Sequence, residues 1–319
     1  MTPRMCDVTV AVCTRNRADR LRVALASLAG LEMPASVRHE ILVVDNGSTD
    51  DTPAAVEEFA AVASVPVRRV FEPEPGIVPA RNRSVEECRG RWLASFDDDQ
   101  VASPNWLAGL LEMAGRKSCG FVGGRTELRL PEGVDRDLDP VTRMLLGESV
   151  GMTEPRRFTP TVTPSTNSLI VERRLFDEVG LFDPAYHQRG EDTDLALRLM
   201  AAGHEGWYTP DSVVTHVIPT DRLTDEYLFK LTDLMGEGMA EAERDTRGRL
   251  LFPAVYAARV GQAVLRLWPR WAVARLRGDA EAALGARCRL RIARRYLRDG
   301  AGLLLGRGRD HATPAAGGV

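Results

Sequence analysis

Residues Trp92–Gln100 read WLASFDDDQ, an apolar run that ends in three consecutive carboxylates. A buried strand has this profile when it surfaces at the carboxyl edge of a sheet, where α/β proteins place their ligand sites. Side chains alternate along a strand, so Asp97 and Asp99 are expected on one side and Asp98 on the other. Two acids held on the same side repel unless a cation or a hydrogen-bonded ligand lies between them. Mg²⁺ and Mn²⁺ are hard divalent ions suited to carboxylate and phosphate oxygens. A plain acidic turn would carry the same letters, so the stretch needs support from the rest of the chain.

The preceding residues supply it. Asp7–Thr14 (DVTVAVCT), Glu40–Asp45 (EILVVD) and Val65–Phe71 read as strands. Arg17–Leu28, with Leu21, Ala24, Leu25 and Leu28 at helical spacing, and Gly76–Cys88 read as helices between them. Asn46, Gly47 and Ser48 mark a turn, with Ser48 or Thr49 as the expected cap of the next helix. Strand–helix alternation predicts an α/β fold: a mostly parallel sheet covered on both faces. Its ligand crevice lies beyond the strand ends, where Thr14, Asp45 and Asp97 emerge. The turn after the first strand reads TRNRADR, without the glycines of a dinucleotide fingerprint, and no P-loop occurs. A diphosphate then needs a metal rather than a backbone cradle, which fits the acids.

Further on, Pro104–Ala114 reads as a helix capped by Ser103, and Gly120–Leu130 as a strand broken at Gly123–Gly124. Pro131–Pro164 has little periodicity and reads as a long excursion that could cover the site. Asn167–Val171 is a short strand and Arg173–Val179 a short helix. Gly190–Leu199 (GEDTDLALRL) is the second informative stretch. Acids complement the dipole at any helix start. One of Glu191, Asp192 and Asp194 would also be well placed there as a general base aimed into the crevice. His216 lies within the strand Val213–Val217, as a core residue or as a ligand returning to the same crevice.

The 319 residues are 44% hydrophobic and 27% charged, with a net charge of −3, as in ordinary globular proteins. No apolar run is long enough to span a bilayer, and the start lacks the pattern of a signal peptide, so a cytoplasmic location is expected. The five cysteines form no CxxC pair, which argues against a zinc knuckle or a disulfide framework. From Arg247 to Arg309 the only acids are Asp279, Glu281 and Asp299 among many arginines. Residues 223–310 therefore read as a basic helical extension, with Glu226–Glu243, Phe252–Leu267 and Ala280–Leu305 as its helices and His311–Val319 as a disordered tail. Trp268 and Trp271 beside arginine suit either peripheral membrane contact or a packed helix with a solvated basic face.

The ordered set VAVCTRNR, VVDNGSTD, GIVPARN, FDDD, NSLIVERRLFDEVGLFD and GEDTDLALRL, closed by the strand with His216, resembles a family 2 glycosyltransferase with the GT-A fold. The resemblance covers roughly Val8–Ile218 and implies a catalytic domain over residues 1–222. Its nucleotide-sugar half would span about 1–100 and its acceptor half about 101–222. It implies that Thr14, Arg15, Asp45, Arg81, Asp97, Asp98 and Asn167 bind the nucleotide sugar, and that Asp99, with Asp97 and His216, holds Mn²⁺ or Mg²⁺. It further implies that Asp192 is the catalytic base, assisted by Glu191. Where the family pattern often has a further acid, this chain has Gln100. The activity implied is metal-dependent inverting transfer from a nucleotide diphosphate sugar, UDP-linked by family habit, to an acceptor hydroxyl. The acceptor is a glycan, a glycolipid, a soluble metabolite or a protein, and no nucleic acid is implied. A sugar-phosphate nucleotidyltransferase and a non-catalytic nucleotide-sugar-binding protein are the alternatives.

Overall fold

The structure is a computed structural model that describes residues 6–186, 190–236 and 239–306. In chain order it forms β1 (Val8–Thr14), α1 (Ala18–Ala29), β2 (His39–Asp45), α2 (Thr52–Val62), β3 (Val67–Phe71), α3 (Ile77–Glu86) and β4 (Trp92–Asp97). There follow β5 (Gln100–Ala102), α4 (Trp106–Lys117), β6 (Phe121–Arg129), α5 (Pro140–Leu145), β7 (Arg156–Arg157), β8 (Ser168–Glu172), α6 (Leu175–Val179), α7 (Glu191–Ala201) and β9 (Gly206–Val217). The remainder is helical: α8 (Asp225–Gly236), α9 (Met239–Arg247), α10 (Phe252–Gln262), α11 (Trp268–Leu276) and α12 (Ala280–Leu304).

Two compact units result. One holds Gly147–Pro219 with the residues up to Glu132, and the other holds Gly133–Leu146 with those from Thr220 onward. The sequence reading divides the chain after residue 222 and treats Pro131–Pro164 as one excursion. The structure instead groups residues 133–146 with the later helices, because α5 packs on α8 and α12. The expected tail from His311 lies outside the described residues.

In the first unit the strands form one mixed sheet in the order β3-β2-β1-β4-β8-β6-β9-β5. The amino-terminal half is parallel throughout, as the alternation predicts. Beyond β4 the chain runs antiparallel on β8, and β6 and β9 pair in parallel. Val8, Val10 and Val12 of β1 face one core with Leu21 and Leu25 of α1 and Trp106, Leu107 and Leu110 of α4. Ala11, between them, faces the other core with Val78 of α3, Phe176 of α6 and Leu195 of α7. Period-2 alternation with both faces buried explains why β1, apart from Thr9, reads as apolar up to Thr14.

Local chemistry corrects three details of the sequence reading. Ser103 does not cap α4. Asn105 is the cap residue, and the Ser103 hydroxyl donates to its side chain at 2.9 Å. Neither Ser48 nor Thr49 caps α2; Asp50 Oδ1 accepts from the Thr52 N–H at 3.1 Å. Phe252–Leu267 is not one regular helix, since α10 widens into a π turn at Ala263–Leu267 and continues as α11. The expected break in β6 is a bulge, with the β9 register shifting between Gly123 and Arg125. A Cβ on Gly124 would lie 2.6 Å from the Ser212 carbonyl oxygen, so the bulge admits no side chain there.

In the second unit α12 is the central helix, with α5, α8, α9, α10 and α11 packed along it. The Asp279 side chain caps its start by accepting from the Ala282 N–H at 2.9 Å. Phe252, Ala240 and Tyr296 form a small core, tied by the Tyr256 hydroxyl donating to the Leu297 carbonyl at 2.9 Å.

Candidate active site

Strand β1 has β2 on one side and β4 on the other, so the chain changes direction across the sheet between β1 and β4. Open α/β sheets bind ligands in the crevice at such a point. The register there aligns Thr14 with Asp45 and Cys13 with Asp97. Thr14, Asp45 and Asp97 therefore emerge side by side.

The three consecutive acids part company as β4 ends. Asp97 is the last strand residue, and Asp98 and Asp99 form the turn into β5. Strand alternation therefore governs Asp97 alone, contrary to the expectation that Asp99 shares its side by pleat. Asp98 is buried and turns back to β1. The Thr14 hydroxyl donates to its Oδ2 at 2.7 Å, and Arg17 Nη1 donates to its Oδ1 at 2.8 Å. Arg17 also stands 3.8 Å from Asp99 Oδ2. Burial raises the Asp98 pKa, with the Arg17 charge and the Thr14 bond opposing it.

Asp99 faces β9. The Val217 N–H donates to the Asp99 carbonyl at 3.0 Å, and β5 pairs Gln100 with His216. This backbone ladder fixes Asp99 Oδ2 at 3.4 Å from His216 Nε2. Gly147 lies above the other edge of the imidazole. A Cβ there would sit 3.7 Å from His216 Nδ1 and 3.9 Å from Asn167 Nδ2. At φ +96° this backbone is one that glycine adopts readily and other residues rarely do.

Asp97 ends β4 with its side chain 41% exposed and protein packed around it. That surrounding low-dielectric matter pushes its pKa up to about 6, against Arg81 and reinforced by Asp99 and Asp98. Arg81 Nη2 stands 4.0 Å from Asp97 Oδ1, and Arg81 Nη1 forms an ion pair with Glu191 Oε1. One guanidinium thus connects the two acid clusters. Glu191 is buried, and its Oε2 has no hydrogen-bond partner among the described residues.

The acids at the start of α7 divide their work. Asp194 pairs with Arg198 at 2.7 Å, and Arg198 in turn donates to the carbonyls of Val179 and Leu181. That accounts for Asp194 structurally. Asp192 is partly exposed, and its partner among the described residues is the N–H of the next residue, Thr193, at 2.7 Å. Asp45 is 1% exposed, accepting from the Ser48 N–H at 2.9 Å and from Arg69 at 3.1 Å. Arg15 is exposed and Asn167 half-buried.

The sequence alone gives Arg17 no role beyond the start of a helix and puts Arg81 on the nucleotide side without its acidic partners. The arginines of TRNRADR were the available signal for the first. Nothing local signalled the second, because Arg81 and Glu191 lie far apart in the chain.

Two sizeable cavities lie elsewhere. One of about 600 Å³ opens at the amino end of β4, lined by Arg91, Lys117, Glu172 and Glu205. The other, about 670 Å³, lies in the helical unit between α8 and α12. Among the described residues, no group of three or more His, Cys, Asp or Glu side chains could by itself hold a metal ion. Asp99 and His216 form a pair, and Asp97 is drawn instead toward Arg81.

A sheet that changes direction between β1 and β4, with acids at the emergent strand ends, is the architecture of a GT-A glycosyltransferase. The glycosyl transferase family 2 model matches residues 9–170, and the chain belongs to that family. Glycosyltransferase AglE of Haloferax volcanii is 27% identical over 68% of this chain and 68% of its own. The N-acetylglucosaminyl-diphospho-decaprenol L-rhamnosyltransferase of Mycobacterium tuberculosis is 31% identical over 66% of this chain and 76% of its own. Other curated relatives are longer, and the chain spans less than half of their length. The mannosyltransferase PcManGT of Pyrobaculum calidifontis, solved with GDP-Man and Mn²⁺, superposes with a TM-score of 0.61 at 21% identity. That likeness of fold covers 96% of this chain and 89% of that one. Among the described residues no helix is long and apolar enough to cross a membrane.

Proposed function

We propose that this glycosyltransferase moves a sugar from a nucleotide diphosphate sugar to an acceptor hydroxyl, with inversion at the anomeric carbon. The carrying observation is Arg81, paired with Glu191 and 4.0 Å from Asp97, which draws the strand-end acids and the α7 acids toward one crevice. A hydroxyl of a glycan or a lipid-linked sugar is the favoured acceptor. The support is the mycobacterial relative, a rhamnosyltransferase named for N-acetylglucosaminyl-diphospho-decaprenol, a lipid-linked sugar.

The donor set suits a hard divalent cation. Two ligands bound at about 2.1 Å in adjacent positions lie roughly 3 Å apart, close to the 3.4 Å between Asp99 Oδ2 and His216 Nε2. One carboxylate and one imidazole leave most positions to phosphate oxygens and water, the habit of ions that bind with a phosphorylated substrate. Asp99 and His216 would hold Mn²⁺ or Mg²⁺, with Asp97 adding negative charge beside them. When bound, the ion neutralises charge that develops on the departing diphosphate.

The chain's own groups account for the rest. Asp98, held by Thr14 and Arg17, keeps the first strand's turn against the acid turn, where Thr14 and Arg15 face the nucleotide. Asp45 is committed to Arg69 and Ser48, so a nucleotide base would meet that paired carboxylate rather than a free one. Asn167 stands beside His216 on the sugar side. Asp192 takes the acceptor proton as the acceptor oxygen bonds to the anomeric carbon and the bond to the diphosphate breaks. Such a placed base contributes about 10²–10⁴-fold. Glu191 Oε2, buried and without a partner among the described residues, accepts from a sugar or acceptor hydroxyl.

A panel of UDP-, GDP- and dTDP-sugars with Mn²⁺ or Mg²⁺, scored for release of nucleoside diphosphate, tests this reading. Metal-dependent release from at least one donor is expected. No release from any donor, combined with pyrophosphate formation from a nucleoside triphosphate and a sugar phosphate, would replace it with nucleotidyl transfer.

A further inference from the structure

The helix that runs from α10 through the π turn to α11 carries its apolar side outward. Leu265, Trp268 and Leu276 are 76%, 59% and 88% exposed, while Ala274 is buried against the unit. Their spacing, with Ala272 between Trp268 and Leu276, puts them along one stripe of a helix. Val264 and Val273 widen the stripe on either side, both also exposed. Water normally meets the polar side of a surface helix, so an outward apolar stripe of this length marks a surface that binds something.

The flanking charge states what it binds. From Arg247 to Gly278 the sequence contains seven arginines and no acid. Arg266 and Arg275 flank the stripe, Arg270 and Arg277 lie further round toward the Ala274 side, and all four are exposed. A second copy of the same face would set these cations against one another across a two-fold contact, and an apolar protein groove would leave them unpaired. An anionic lipid surface satisfies both features. Leucines enter the acyl boundary, Trp268 sits at the headgroup level, and long arginine side chains reach back to phosphates.

We infer that the exposed face of residues 264–277 docks the protein on anionic phospholipid, lying in the plane of the interface. The inference does not depend on which sugar or acceptor the enzyme uses.

Co-sedimentation of the full chain with phosphatidylcholine vesicles, with and without about a third phosphatidylglycerol, tests it. Binding is expected with the anionic vesicles and should weaken as salt rises. Each arginine near an anionic surface contributes about fivefold to partitioning, so the Arg266→Gln/Arg275→Gln variant should bind on the order of tenfold or more weakly. Leu265→Ser/Leu276→Ser should also lose binding at unchanged net charge. All four side chains are exposed, so circular dichroism and thermal unfolding should match the native protein. Equal partitioning to neutral and anionic vesicles would overturn the inference, as would no binding to either. A dimer that Leu265→Ser/Leu276→Ser disperses, without any vesicle binding, would assign the face to self-association instead. Donor hydrolysis measured without vesicles is expected to be the same in all of these proteins, which separates this test from that of the catalytic reading.

Discussion

Arg81 on α3 forms an ion pair with Glu191 in the first turn of α7, and the two side chains are only 12% and 8% exposed. The pair joins a helix of the amino-terminal half to the helix that carries Asp192. Removing Arg81 leaves the Glu191 charge buried without its partner, which costs about 3–5 kcal/mol. Arg81→Ala should therefore destabilise the chain by roughly 3 kcal/mol in urea unfolding. A double variant, Arg81→Leu/Glu191→Leu, should regain most of the stability while staying inactive. If the double variant regained activity, the pair would have no part in the site.

Among the described residues Asp192 bonds only to the N–H of its neighbour, and the proposed reaction gives it the acceptor proton. Asp192→Asn should lower kcat for transfer by about 10²–10⁴-fold. Donor affinity, measured by calorimetry with Mn²⁺, should change little, because the proposed role concerns the acceptor proton. A large loss of donor affinity with kcat intact would move Asp192 to the donor side.

Glu40 at the start of β2 tests the fold rather than the chemistry. It is buried, accepting from Arg68 at 2.9 Å and 3.0 Å and from the Thr9 hydroxyl at 2.8 Å. Burial alone would raise its pKa, but the bonds from Arg68 and Thr9 outweigh that and hold it below the ordinary 4.5. A carboxylate with a depressed folded pKa stabilises the protein at pH values above its unfolded pKa. That contribution is lost as pH falls through the folded pKa. Stability should therefore decline below about pH 4.5 in the native chain, and the decline should be shallower in Glu40→Gln, which is less stable at neutral pH. Urea midpoints across pH measure both effects, and parallel pH profiles for the two proteins would contradict the assignment.

Gly147, at φ +96°, lies within 4 Å of His216 and Asn167 once a Cβ is imagined on it. Gly147→Ala strains that backbone by about 1 kcal/mol or more and crowds the imidazole. The expected result is a raised Mn²⁺ requirement for activity with only a small loss of thermal stability. Unchanged metal dependence would show that the loop does not restrain His216.

What could be read before the fold was known follows from burial. β1, β2 and β4 are covered on both faces, so apart from Thr9, the His39–Glu40 start of β2 and Ser95 their letters are apolar, and their ends are marked by Thr14, Asp45 and Asp97. The helix α1 was legible from Leu21, Leu25 and Leu28 for the same reason. The parts that were not legible depend on contacts remote in sequence. β7 is two exposed arginines that exist as a strand only because β9 pairs with them. Residues 133–146 carry no periodicity that would assign them to the helical unit. Ser48 fails to cap α2 because its hydroxyl accepts from the Asn16 N–H at 3.0 Å instead. In the site, the acids themselves were visible as clusters, but their partners were not. Arg17 and Arg81 acquire meaning only when β1, β4 and α7 converge.

The central claim is that Asp99 and His216 hold a cation at a diphosphate while Asp192 faces the acceptor across the same crevice. Anomalous diffraction at the manganese edge, from crystals grown with nucleoside diphosphate and Mn²⁺, addresses it most directly. One anomalous peak is expected within ligand distance of Asp99 Oδ2 and His216 Nε2 and beside the diphosphate, with the Asp192 carboxylate facing the space where the transferred sugar would lie. A nucleotide bound at the strand ends with its manganese elsewhere, or with Asp192 turned away from that space, would contradict it.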